Sequence, residues 1–153
     1  MATQLSPHFT LEEMILSQAA AREGIDNTPS PQIVQRLTRA CALLEDVRTL
    51  LGGRSILISS GYRSPALNAA VGGANDSDHT YGLAADFTSP SFGSVLEVAQ
   101  KIAASNLGYR QLIYEFGSWV HISAPRDTEP APLRQNLSIF KGTGYLVGIQ
   151  GKP

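Results

Sequence analysis

The sequence predicts an α+β fold in which N-terminal helices pack on a small antiparallel sheet. Helical patterns come first along the chain, and short strands with one helix among them follow. Separate runs of each element type favour α+β over alternating α/β units. A length of 153 residues suits one domain over residues 1–153. Hydrophobic residues make up 42% of the chain and charged residues 16%, so it has the composition of a globular protein.

Two helices are predicted in the N-terminal third. Thr10 and Glu13 have the spacing of a capping box, which predicts a helix over residues 11–23. The Ser-Pro pair at 30–31 supplies an N-cap and a proline at the first helical position. An apolar stripe every three or four residues continues this second helix to about residue 51. Cys41 lies on that stripe and is interpreted as a small buried hydrophobe.

Short strands and loops follow the second helix. Strands are predicted at 55–60, 83–88, 109–116, 119–123 and within 137–149. One helical turn is expected at 65–70, and Ser94 with Glu97 forms a capping box that opens a further helix. Gly117-Ser118 indicates a hairpin turn. The proline-rich stretch 125–136 is predicted to be a surface loop.

Charge and composition exclude several partner classes. Twelve Lys and Arg against thirteen Asp and Glu give a net charge of −1, so there is no basic excess to drive nucleic-acid binding. One cysteine excludes an intrachain disulfide and a zinc site built on cysteine pairs. No apolar run of about 18 residues occurs, so no membrane span is expected. The first ten residues lack the pattern of a secretory signal, and we expect cytoplasmic synthesis and a monomer.

Histidine and aspartate occur in two segments that are otherwise small or apolar. His79 is expected on a loop, and Asp86 follows seven residues later in the strand pattern Leu-Ala-Ala-Asp-Phe. His121 has a similar place in Trp-Val-His-Ile-Ser. A buried carboxylate is unfavourable unless it is paired or bound to a metal. These residues are either hydrogen-bonded structural groups or a zinc set with an open fourth position. His8 is assigned a local contact.

Three sequence blocks resemble the M15 peptidases, the zinc D-Ala-D-Ala carboxypeptidase family of peptidoglycan peptidases. The blocks are Ser-Gly-Tyr-Arg-Ser at 60–64, Ser-x-His-x-x-Gly-x-Ala-x-Asp at 77–86 and Trp-x-His at 119–121. The resemblance extends over nearly the whole chain, and the small phage- and prophage-associated branch is the most similar. Hedgehog signalling domains share the ligand geometry, so such a zinc site does not by itself imply peptidase activity.

The resemblance implies a zinc cofactor held by His79, Asp86 and His121. It also matches Arg63 to the family arginine that neutralises a substrate carboxylate or the developing oxyanion. A fixed guanidinium near zinc stabilises charge that appears in the transition state. The alternative for Arg63 is a surface ion pair.

Substrate contacts are expected from Ser77, Tyr62 and Trp119. Ser77 has a plain turn serine as its alternative. Together with Arg63 these residues offer hydroxyls, aromatic walls and one fixed cation. That combination suits a short peptide with small side chains and a carboxylate, as in the stem of peptidoglycan.

The general base is where the sequence departs from the family pattern. The dipeptidase branch has a glutamate three residues before the last histidine ligand, and here that position is Ser118. Glu115, six residues before His121, is the predicted base. In a hairpin through 116–118 Glu115 would lie across from His121, whereas a two-residue turn would pair it with Val120 and point it away. Asp78 is the lesser candidate.

The implied function is zinc-dependent hydrolysis of peptidoglycan stem peptides. The family cuts either the L-Ala–D-Glu bond or the D-Ala-D-Ala bond. We favour the L-Ala–D-Glu endopeptidase, because detaching whole stems lyses a wall and trimming a terminal D-Ala does not. A phage or prophage endolysin that reaches the wall at lysis fits the absence of a secretory pattern. The alternative is a non-catalytic, zinc-stabilised component that binds the wall or belongs to a virion.

Overall fold

The computed structural model describes residues 2–153, and in them helices and strands are mixed as the sequence predicts. The helices are α1 (Leu11–Ile15), α2 (Gln18–Glu23), α3 (Pro31–Leu50), α4 (Pro65–Ala70), α5 (Asp78–Tyr81) and α6 (Val95–Ala103). The strands are β1 (Gln4–Ser6), β2 (Phe9–Thr10), β3 (Leu57–Ser60), β4 (Ala84–Thr88), β5 (Gln111–Glu115), β6 (Trp119–Ser123), β7 (Gln135–Phe140) and β8 (Gly144–Val147). The predicted α+β class is confirmed.

The main sheet of the described residues has six strands in the order β3-β4-β6-β5-β7-β8. It differs from the antiparallel expectation in one pairing, because β5 and β7 run parallel. The other neighbouring strands are antiparallel. Gln111, at the start of β5, pairs with Ser123 at the end of β6 and with Gln135 at the start of β7. Residues 124–134 therefore cross β5 at this end of the sheet, from β6 on one side to β7 on the other. Because β7 then starts at the same end of the sheet as β5, these two strands run parallel.

One face of the sheet packs on α3 and α6 to form the hydrophobic core. The core residues of this layer include Leu37, Cys41, Leu44, Phe87, Val98, Ile102, Leu112, Val120 and Ile122. Burial raises the pKa of the Cys41 thiol to about 12, so Cys41 is the buried hydrophobe that the helical stripe predicts. Among residues 2–153, no helix has both the length and the apolar character needed to cross a bilayer.

The predicted helix over 11–23 is two helices. The backbone of Leu16 is extended, with φ −63° and ψ 130°, and the Ser17 hydroxyl accepts a hydrogen bond from the Ala20 amide at 3.1 Å. Serine is more favourable at an N-cap, where its hydroxyl accepts a hydrogen bond from a free amide, than inside a helix. Ser17 therefore caps a new helix, α2. The C-terminal end at Gly24 is as expected, with φ 65°.

Candidate metal centre

Three buried side chains converge on the sheet face opposite the core. His79 lies on α5, Asp86 on β4 and His121 on β6, and each is 3–5% exposed. Asp86 and His121 are direct cross-strand partners. His79 Nε2 lies 3.1 Å from Asp86 Oδ1 and 3.2 Å from His121 Nδ1, and His121 Nδ1 lies 3.0 Å from Asp86 Oδ1. The structure thus brings the whole predicted trio together.

A one-turn helix positions His79, where the sequence predicts a loop. Ser77 is the N-cap of α5, and its hydroxyl accepts from the His79 amide at 3.2 Å. Gly82 ends the helix with φ 78°, a conformation that glycine adopts without strain. A Cβ at Gly82 would also lie 3.0 Å from Ile33 Cγ2. The turn that carries His79 therefore depends on the serine and the glycine at its two ends.

The ring of His79 is oriented by the backbone of Gly61. His79 Nδ1 lies 2.7 Å from the Gly61 carbonyl oxygen, and because a carbonyl only accepts, Nδ1 carries the proton and donates. Nε2 is then the ring nitrogen that faces Asp86 and His121. Gly61 approaches α1 so closely that a Cβ there would lie 2.2 Å from the Met14 carbonyl oxygen. Only glycine allows this close approach to α1, which keeps the Gly61 carbonyl in place to accept from His79 Nδ1.

The donor set fits a zinc ion. The three facing atoms are 3.0–3.2 Å apart, close to the roughly 3.3 Å edge of a tetrahedron with zinc bonds of about 2.0–2.1 Å. Acceptor atoms this close repel one another unless a proton or a metal ion lies among them. His121 Nε2 is buried and has no hydrogen-bond partner within residues 2–153, so its Nδ1 side makes the polar contacts of this ring. The trio could hold a metal ion.

Arg63 lies beside the trio as an ordered cation. Its Nη2 donates to Asp86 Oδ2 at 3.3 Å, Nε donates to Ser60 Oγ at 3.1 Å, and Nη1 donates to Asn68 Oδ1 at 3.2 Å. Burial raises the pKa of Asp86, but the charge of His79 and the hydrogen bonds from both imidazoles outweigh it and leave the pKa well below its ordinary value. Asp86 is thus a charged carboxylate with one oxygen toward the histidines and the other toward Arg63.

The register of the β5–β6 hairpin places Glu115 on the same face as His121. Residues 116–118 form the turn, so Glu115 pairs with Trp119 and Ile113 pairs with His121. The predicted position of Glu115 directly across from His121 is therefore wrong, because the first pair of the hairpin is Glu115 with Trp119. Paired residues share a face and so do residues two apart, so Glu115 is a diagonal neighbour of His121.

The surroundings of Glu115 give its carboxylate the properties of a proton acceptor. Burial raises the pKa of Glu115 to about 6, and the negative charge of Asp86 acts in the same direction, whereas His121 and Arg63 oppose it. A carboxylate with this pKa is deprotonated at neutral pH yet basic enough to take a proton from water. Among the two predicted candidates for the base, Glu115 has the better environment.

Asp78, the lesser candidate, is held by two arginines. Its side chain is 2% exposed and accepts from Arg110 Nη1 at 3.0 Å and from Arg126 Nε at 2.9 Å. The Arg126 guanidinium also stacks over Tyr81, 4.4 Å from the ring centroid. Both oxygens of Asp78 are engaged, and this group fastens the 124–134 connection to α5. The sequence analysis missed Arg110 and Arg126, because their partner lies 32 and 48 residues away.

A cavity of about 850 Å³ opens over the trio. Four of the candidate site residues line it: Arg63, Ser77, Glu115 and Trp119. Tyr62 does not: it is 8% exposed, packs in the hydrophobic core and borders a second cavity of about 600 Å³. The cause is its backbone amide, which donates to the Met14 carbonyl and holds this stretch against α1.

Comparison with known proteins agrees with this geometry. The model of a family described as Peptidase M15 matches residues 7–123, which is more than half of the chain. A zinc D-Ala-D-Ala carboxypeptidase from Streptomyces albus G is 39% identical over 70 residues. That alignment covers 46% of this chain and 26% of the relative, so the chain matches about a quarter of the length of that curated protein.

Proposed function

The chain belongs to the M15 peptidase family, and from this premise we propose that residues 1–153 form one zinc-dependent peptidase domain acting on peptidoglycan stem peptides. Family membership agrees with the resemblance of the three sequence blocks. The observation that carries the proposal is the cluster of His79, Asp86 and His121, whose facing atoms are 3.0–3.2 Å apart beneath a cavity that also holds Glu115.

The proposed reaction is hydrolysis of a peptide bond by water. When bound, zinc supplies Lewis-acid chemistry, which polarises the scissile carbonyl and makes water more acidic. Glu115 accepts a proton from the attacking water as the new C–O bond forms. The same carboxyl then gives that proton to the leaving amine as the C–N bond breaks. The half-buried position of Glu115 and its raised pKa support this role, and they favour an enzyme over the non-catalytic zinc-stabilised alternative.

Arg63 is proposed to bind the developing oxyanion or a substrate carboxylate. Its three hydrogen bonds to Ser60, Asn68 and Asp86 hold the guanidinium plane, and a guanidinium has five N–H donors. Donors therefore remain for a substrate oxygen in the cavity that Arg63 lines. A cation held in place before reaction stabilises the transition state without reorganisation.

Replacing Arg63 with lysine is expected to lower kcat/KM by roughly 10- to 100-fold while zinc content and thermal stability are retained. Lysine keeps the charge but cannot reproduce the fork that reaches Ser60, Asn68 and Asp86 together. Hydrolysis of a synthetic stem peptide measures the change. Arg54→Lys is the matched control, since Arg54 is exposed and outside the cavity. An unaffected rate in Arg63→Lys would mean that Arg63 only forms a surface ion pair and has no role in the reaction.

The bond we favour is L-Ala–D-Glu, and the setting we favour is a phage or prophage endolysin that reaches the wall at lysis. The cavity extends on both sides of the trio, from Arg63 and Gly73 to Ile139 and Tyr145. A carboxypeptidase needs room for one residue beyond the scissile bond, whereas an endopeptidase needs room for several. The extended cavity supports the endopeptidase.

Digestion of purified peptidoglycan tests the substrate. We expect new amino groups, no increase in reducing sugar and no cleavage of casein, because a peptidase specific for stem peptides leaves glycosidic bonds and bulky protein segments intact. Mass spectrometry of the products identifies the bond. Release of D-Ala alone would establish the carboxypeptidase in place of the endopeptidase. Release of reducing ends would contradict peptidase activity altogether.

A further inference from the structure

The far wall of the cavity comes from the C-terminal hairpin β7–β8. Leu137 and Ile139 of β7 and Tyr145 of β8 line it, together with Gln135 at the start of β7. The family match ends at residue 123, so this wall lies outside the matched part of the chain. Residues that line a site without belonging to its catalytic groups are places where substrate preference is set.

Strand register aligns this wall with the proposed base. Glu115 pairs with Trp119 on one side and with Ile139 on the other, and Ile139 pairs with Tyr145. One row across β6, β5, β7 and β8 therefore reads Trp119, Glu115, Ile139, Tyr145. Two aromatic side chains bound this row, and an aliphatic residue lies between the carboxylate and the tyrosine.

The hairpin is fastened to the strand that carries Glu115. The amide of Phe116 donates to the Ile139 carbonyl at 2.8 Å. At the other end of the pair, Gln111 Nε2 donates to Gln135 Oε1 at 2.9 Å. The wall is thus held in register with β5 at both ends.

The length of the row matches a short peptide. Neighbouring strands are about 4.8 Å apart, so Tyr145 lies two strand spacings, or roughly 10 Å, from Glu115. An extended peptide advances about 3.3 Å per residue. A substrate that crosses the strands with its scissile bond at Glu115 and its C-terminal part toward β8 would present its second or third residue beyond that bond to Tyr145.

Tyr145 is available for such a contact. Its side chain lines the cavity although the residue is 60% exposed. Burial raises the pKa of its hydroxyl, and the negative charges of Glu115 and Asp86 contribute to the same shift. Val147, two residues further along β8, is 86% exposed and does not line the cavity.

We propose that Tyr145 is a specificity-determining residue that contacts the second or third residue beyond the scissile bond, so that the β7–β8 hairpin selects longer stem peptides over dipeptides. This inference rests on the proposed function for its substrate class. Between Glu115 and Tyr145 the row offers the aliphatic side chain of Ile139.

Synthetic stem peptides of two and four residues that both begin L-Ala–D-Glu test the proposal. In Tyr145→Ala we expect kcat/KM for the tetrapeptide to fall about tenfold and that for the dipeptide to change less than about twofold. Tyr145→Phe keeps the ring and should recover most of the tetrapeptide rate. Val147→Ala is the matched control and should leave both rates unchanged.

Binding provides a second readout that does not depend on turnover. Trp119 is the sole tryptophan of the chain and lines the cavity, so its fluorescence reports the Kd of each peptide in zinc-loaded Glu115→Gln protein. A loss of tetrapeptide affinity in Tyr145→Ala, without loss of dipeptide affinity, supports the proposal even if no hydrolysis is found. Equal effects on both peptides, or none on either, would overturn it while leaving the peptidase function to the digestion experiment.

Discussion

Replacing His121 with alanine is expected to remove zinc from the purified protein and to reduce hydrolysis to below about 1% of the wild-type rate. The wild-type chain should hold about one zinc ion, since His79, Asp86 and His121 form one set of three ligands, the number that catalytic zinc sites use. His121 Nδ1 is one corner of the triangle formed with His79 and Asp86. Two remaining ligands bind the ion too weakly to survive purification. Elemental analysis and the rate on a stem peptide give the two measurements.

His8 provides the matched control for this experiment. It is the remaining histidine of the chain, its side chain is 46% exposed, and its Nδ1 lies 2.7 Å from Glu45 Oε1, outside the cavity over the trio. His8→Ala should keep both zinc and activity. A chelator should lower the Tm of the wild-type protein toward that of His121→Ala, because a ligand bound only by the folded state stabilises it. Full retention of zinc in His121→Ala would show that the ligands are wrongly assigned.

Two members of the ligand trio are noticeable in the sequence because they interrupt an apolar strand pattern, and the family resemblance adds His79 and the ligand role of all three. Asp86 and His121 stand in apolar strands, and the structure places them as cross-strand partners. Capping signals at Thr10, Ser30 and Ser94 likewise locate helix starts correctly, since a cap depends on residues within one turn.

Features that depend on tertiary register cannot be predicted in this way. The pairing of Glu115 with Trp119 depends on how many residues the turn takes, and Gly117-Ser118 alone does not decide it. The parallel β5–β7 pair depends on where residues 124–134 cross. The location of Tyr62 also depends on tertiary contacts. Its place next to Arg63 in the chain predicts a side chain in the cavity, but the hydrogen bond from its amide to the Met14 carbonyl holds it in the core.

Replacing Glu115 with glutamine is expected to lower kcat by at least about 10²-fold while the zinc content stays near one per chain. Glutamine has nearly the same shape and fills the same place on β5, but it cannot accept a proton from water. The diagonal position of Glu115 beside His121, rather than a ligand position, is the reason zinc should remain. Hydrolysis of a stem peptide and elemental analysis on the same sample separate the two effects.

The pH dependence distinguishes a proton acceptor from a structural carboxylate at position 115. The pKa of Glu115 is raised to about 6, and a bound divalent cation lowers it from there. Because the base works only when deprotonated, wild-type kcat/KM should fall as the pH drops through the pKa of Glu115, at or below about 6. In Glu115→Gln that dependence should vanish from the residual rate. Glu23→Gln, an exposed change at the end of α2, should keep the wild-type profile. Near wild-type rates in Glu115→Gln would assign the base to another group, and Asp78→Asn would then be the variant to measure.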